Sequence, residues 1–137
     1  MSNTGNAPKG LRWFLVYHLP TILYAGLIIG LSSIPYLKSP SLKFFTFDKV
    51  AHFLEYSIFA FLTFRSFSNL SVKINVNRAY LLSLLFLSLF ALLDEFHQSF
   101  VPGRHADVAD LLTDFLGAFL VISFLWLRGR RLRPESG

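Results

Sequence analysis

The stretch "DKVAHFLEY" (48–56) places Asp48, His52, Glu55 and Tyr56 at i, i+4, i+7 and i+8, one stripe of a helix. A second stretch, "DEFHQSFVPGRHADVADLLTD" (94–114), holds five carboxylates, two histidines, a glutamine and an arginine. Asp94 and Gln98 stand one turn apart with Glu95 alongside, and Asp107, Asp110 and Asp114 recur at i, i+3 and i+7. Three kinds of chemistry suit these residue types. His52 beside Glu55 would make an oriented acid–base pair. His52, Glu55 and Asp94 or Glu95 would make oxygen and imidazole ligands for a divalent cation. Arg104 would grip a phosphate or carboxylate bidentately, and Pro102-Gly103-Arg104, just before a helix start, would aim backbone N–H groups at the same anion. A purely structural use is open as well: Arg104 paired with Asp107 or Asp110, and Lys49 with Asp48, tying helices together. His97 and His105 read as exposed turn residues. No glycine-rich phosphate loop, G-x-S-x-G or H-E-x-x-H occurs.

The elements that carry these groups are apolar. Of 137 residues, 53% are hydrophobic and 15% charged, and 16 are Phe. Soluble domains carry about 25% charged residues, so the composition points to one membrane-embedded domain. There is no cysteine, which excludes disulfides, thiolate metal sites and a thiol nucleophile. The net charge of +5 sits at the ends of apolar runs. That placement fits membrane anchors and argues against nucleic acid.

Residues 1–10 are small and polar and read as a disordered tail. Between Trp13 and Leu37 the only titratable basic or acidic group is His18, so a first span is expected, kinked at Pro20, with His18 at an interface. The run exceeds the roughly 7–15 residues of a signal peptide core, which favours a retained helix. Further helices are expected over 48–67, 78–98 and 105–127, with polar connectors at 68–77 and around Pro102-Gly103, and a basic tail at 129–137. The spacing thus predicts an all-α, four-helix integral membrane bundle over 11–128.

Nine basic residues (Lys9, Arg12, Arg65, Lys73, Arg78, Arg128, Arg130, Arg131, Arg133) share the side of the two termini. Four (Lys38, Lys43, Lys49, Arg104) lie on the other. The asymmetry predicts that both termini face the cytoplasm. Every acid except Glu135 then falls towards the outer end. At about 1.5 Å per residue, Asp114 lies roughly 21 Å above Arg128, and Glu55 roughly 15 Å above Arg65. Carboxylates at that depth require a shared polar pocket.

The two motifs and the following "D…LG" (110–117) resemble the VanZ-like family of small bacterial membrane proteins, whose namesake is associated with resistance to the glycopeptide teicoplanin. The resemblance covers 48–117 and rests on Asp48, Lys49, His52, Phe53 and Tyr56, then Asp94, Glu95, Gln98, Pro102 and Arg104, then Asp110 and Gly117. The family commonly has Asn where this chain has Asp114, which adds a titratable carboxyl. The resemblance implies a site for a cell-envelope component, such as a lipid-linked cell-wall intermediate or a glycopeptide-related ligand. No organic cofactor is expected, and a divalent cation is compatible with the donors. The alternatives are a hydrolase or transferase on lipid head groups with His52 as base, and a proton or cation pathway. The pathway is the weaker, because no acid lines the inner half of any helix. The topology predicts that cysteines introduced at Ser71 and Ser136 stay protected from an impermeant thiol reagent in intact cells, while one at Ser41 is labelled. Labelling at Ser71 from outside would reverse the orientation.

Overall fold

A computed structural model describes residues 10–36, 47–104 and 106–132, and the side chains of Phe47, Asp48 and Leu132 lie outside that description. The described residues form five helices and no strand: α1 (Leu11–Tyr17), α2 (Leu19–Ser32), α3 (Phe47–Phe67), α4 (Val76–Gln98) and α5 (Val108–Leu132). The expected tail over 1–10 falls almost wholly outside the described residues. Of the expected basic tail, residues 129–132 continue α5, and 133–137 are likewise outside.

The first expected span is two helices. Pro20 has no N–H and stands at the start of α2, so the ladder breaks at His18 and the axes bend by 44°. His18 therefore sits at the break, where its Nδ1 is 2.7 Å from Ser66 Oγ on α3. Next to it, Thr21 donates to the Leu62 carbonyl at 3.0 Å. α4 and α5 are long and apolar enough to cross a membrane, and the bent α1–α2 pair counts as a third such element. α3 has comparable length, at 21 residues or about 31 Å, but carries the polar stripe.

α3 is the central element: it packs against all four other helices, most extensively against α5. Its buried face is Tyr56, Phe59, Ala60, Thr63 and Phe64, a helical i, i+3, i+4, i+7, i+8 pattern. Phe59 is fully enclosed, with the rings of Tyr24, Tyr56, Phe86 and Phe90 at centroid distances of 6.0, 6.1, 6.0 and 4.9 Å. Outward, α2, α4 and α5 present bare Leu, Ile and Phe side chains, including Leu23, Leu85, Leu89, Leu93, Leu112 and Phe124, all more than half exposed. An apolar surface of that extent needs hydrocarbon around it, and the chain is a membrane protein.

α3 and α5 approach closely because Gly117 faces Phe53. A Cβ on Gly117 would lie 2.5 Å from the Phe53 carbonyl oxygen and 3.0 Å from Ser57 Oγ. Gly117→Ala is expected to push the helices apart and destabilise the fold by about 1–3 kcal/mol. Thermal unfolding in detergent measures it, and an unchanged midpoint would mean that the contact is not tight.

Candidate functional site

The polar residues of both motifs meet at one end of the bundle. α3 brings Lys49, His52, Glu55 and Tyr56 in its first half. α4 brings Asp94, Glu95 and Gln98 in its last two turns. α5 brings Asp110 and Asp114 in its first two turns. Asp48 lies in the first turn of α3, but its side chain is outside the described part, as is all of His105.

The deepest group is Asp114, 1% exposed. Its Oδ1 is 3.0 Å from His52 Nδ1. Among the described residues, the carboxylate hydrogen-bonded to this histidine comes from Asp114 on the facing helix, and not from Glu55 on its own helix. Positions 52 and 55 are three residues apart on one helix, whereas Gly117 lets α5, which carries Asp114, come close to α3. Glu55 is half-buried and acts on the same cluster through space, with His52, Asp114, Asp94 and Arg104 all within electrostatic reach.

Lys49 spans to α5, at 2.6 Å from Asp110 Oδ1 and 3.2 Å from Asp107 Oδ2. This corrects the expectation that Arg104 pairs with Asp107 or Asp110. Arg104 instead holds the end of α2: Nη2 donates to the Leu31 carbonyl at 2.9 Å, Nε to the Ile34 carbonyl at 3.4 Å, and Nη1 to Gln98 Oε1 at 3.2 Å. The last carbonyls of a helix lack intrahelical partners and carry partial negative charge, so a guanidinium is well placed there. The Arg104 side chain and the backbone around it are thus engaged within the protein. The Arg104 N–H donates to the Val101 carbonyl at 3.0 Å, and the Asp107 N–H donates to Glu95 Oε1. Gly103 has φ +79°, and a Cβ there would collide with the Tyr36 ring. The glycine thus serves the contact in which the Tyr36 N–H donates to the Pro102 carbonyl at 3.1 Å.

Asp94 is buried at 6% exposure, and its Oδ2 accepts from Ser32 Oγ and from Gln98 Nε2, both at 3.0 Å. Its Oδ1 and the hydroxyl of the 1% exposed Tyr56 have no hydrogen-bond partner among the described residues. The Tyr56 hydroxyl feels Asp114, Asp94, Glu55 and Glu95 together. Two serines belong to the cluster that the motifs do not include. Ser32 reaches Asp94, and Ser33 Oγ lies 2.9 Å from Nε2 of His97, an exposed residue in the last turn of α4. Their signal was a Ser-Ser pair ending an apolar run, which reads equally well as a turn. Among the described residues no three His, Asp or Glu side chains form a group suited to hold a metal ion.

Asp107 is exposed and lies outside the helices. The Ala109 N–H, 2.8 Å from its Oδ1, and then Lys49 hold its carboxyl below the usual carboxylate range. Its contact with Lys49 therefore persists as pH falls through that range and is lost only below it.

With this geometry in view, the sequence profile of the VanZ/LLP1 family matches residues 10–129. The chain belongs to that family. The match covers every element that builds the polar end. No curated protein and no solved structure matches this VanZ-like chain.

Because Lys49 and not Arg104 neutralises Asp110, Lys49→Met and Asp110→Leu should be non-additive in stability. A coupling of about 0.5–3 kcal/mol is expected. Arg104→Ala and Asp110→Leu should be close to additive. Thermal unfolding of the two cycles decides, and the reverse pattern would move the ion pair back to Arg104.

Proposed function

We propose that this VanZ-like protein spans the bacterial inner membrane four times with cytoplasmic termini. Its outward-facing polar end binds a component of the cell envelope. The excess of basic residues on the side of the termini supports that orientation. The site offers a ligand negative charge: Glu55, Asp94, Glu95, Asp107, Asp110 and Asp114 stand against Lys49 and Arg104, apart from His52. Both cations are engaged, Lys49 by two aspartates and Arg104 by backbone carbonyls and Gln98. The occupant is therefore a group rich in donors, an ammonium, amide or hydroxyl, on a lipid-linked cell-wall intermediate or a glycopeptide. The observation that carries this reading is the buried, unpartnered pair of Asp94 Oδ1 and Tyr56 hydroxyl, an acceptor and a donor within one polar cluster. Buried polar atoms are rarely left unpaired, and each one costs about 1–3 kcal/mol.

A second reading, acid–base catalysis on lipid head groups, is favoured by one contact. An Asp114 carboxylate on Nδ1 sets the tautomer of His52 in the way that orients a catalytic base.

Asp94→Asn keeps an oxygen acceptor for Ser32 and Gln98 and replaces the unpaired Oδ1 with an amide donor. It is expected to fold with a near-normal melting temperature and to lose complementation of glycopeptide susceptibility in a deletion strain. Full complementation at normal expression overturns the binding reading. His52→Gln separates the two readings: glutamine hydrogen-bonds but takes no proton near neutral pH. Full complementation by this variant ends the acid–base reading.

A further inference from the structure

The opposite end of the bundle carries a cavity. A partly open cavity of about 280 Å³ lies between the end of α3, the α3–α4 connector, the start of α4 and Gly129 of α5. That is room for roughly nine waters at about 30 Å³ each. Its walls are mostly apolar, with Phe64, Ile74, Val76 and Ala79 facing it, while Asn69 and Asn75 supply polar edges. Gly129 keeps it open: a Cβ there would already lie 3.1 Å from Val76 Cγ2.

Among the described residues, the charged side chains of the helix ends around it are all basic. No acid occurs between Phe64 and Tyr80 or between Trp126 and Leu132. Lys73, Arg78 and Arg128 are exposed at this end. Arg65 lies over the Tyr17 ring at 4.9 Å and Arg130 over Trp126 at 5.0 Å, contacts that hold guanidinium groups at a membrane–water boundary. Asn75 caps α4 by accepting from the Arg78 N–H at 2.8 Å, and the first turn of α4 contains no acid. The positive end of the α4 backbone dipole thus opens on the cavity as well.

We propose that this cavity binds an anionic glycerophospholipid of the adjoining leaflet, its phosphate at the basic rim and its glycerol and first methylenes against the apolar wall. A free anion would gain nothing from that wall, whereas a lipid delivers phosphate and hydrocarbon together at the depth where the cavity lies. Basic pockets between spanning helices take such head groups. The proposal concerns the end opposite to His52 and Asp94 and is independent of what binds there.

Native mass spectrometry of the purified full chain, titrated with equimolar phosphatidylglycerol and phosphatidylcholine, tests it. The wild type is expected to retain phosphatidylglycerol about fivefold better, the effect of about one basic side chain near an anionic surface. Gly129→Leu, which fills the cavity from α5, and Ser68→Phe, which fills it from the exposed end of α3, should each reduce that preference below about twofold. Arg78→Gln should weaken it while leaving the cavity open. Equal retention of the two lipids by the wild type overturns the proposal, as does an undiminished preference in both filled variants. Glycerophosphoglycerol without acyl chains binding as tightly as the lipid would also overturn it, marking a plain anion site.

Discussion

Asp114 is almost completely enclosed between helices, and a carboxylate in such surroundings must be paired, hydrated or protonated. His52 meets that need, and the requirement organises what lies around the pair. It sets α3 and α5 face to face at a spacing that only a glycine at 117 allows, since a Cβ would run into the Phe53 carbonyl. It places Lys49, one turn from His52, where Asp107 and Asp110 converge on it. α4 closes the third side, its Glu95 accepting the N–H of Asp107 and its Asp94 held by Ser32 and Gln98. A polar core built this way cannot be loosened at one member without stranding another charge.

The rest of the molecule keeps that core in register. Arg104 ties the end of α2 to α4, and His18 and Thr21 tie the start of α2 to α3. α2 is therefore fastened at both ends, with the break at Pro20 setting the angle at which it enters. Between the fastenings the contacts are aromatic and aliphatic, centred on Phe59, and the outer faces are left to lipid. The two ends differ sharply in charge. Acids collect around His52, and arginines collect around the opposite cavity.

Sequence alone determined which residues share a face and which end of the bundle they occupy. Helical periodicity is a local property, so the stripe of His52, Glu55 and Tyr56 and the shared face of Asp110 and Asp114 were legible from spacing, as was the break at Pro20, whereas Asp107, expected in the same row, lies before α5 begins at Val108. The bounds of α3 and α4 followed within two residues for the same reason, since apolar runs end where a polar connector or Pro102-Gly103 interrupts them, whereas the first span is two helices and α5 runs from Val108 to Leu132 in place of 105–127. Family membership rested on the same two motifs.

Tertiary structure decided who pairs with whom. Spacing brought His52 and Glu55 together on one helix, but a hydrogen bond depends on the distance between helices, and Gly117 sets that distance across α3 and α5 in favour of Asp114. Arg104 and Asp110 are six positions apart in the chain, yet the arginine turns back to the carbonyls of α2 and leaves Asp110 to Lys49, 61 positions away. Ser32 joined the site only because α2 ends beside Asp94. Each of these contacts is made between elements distant in sequence. A single chain records which partners each residue type can accept, and packing selects among them.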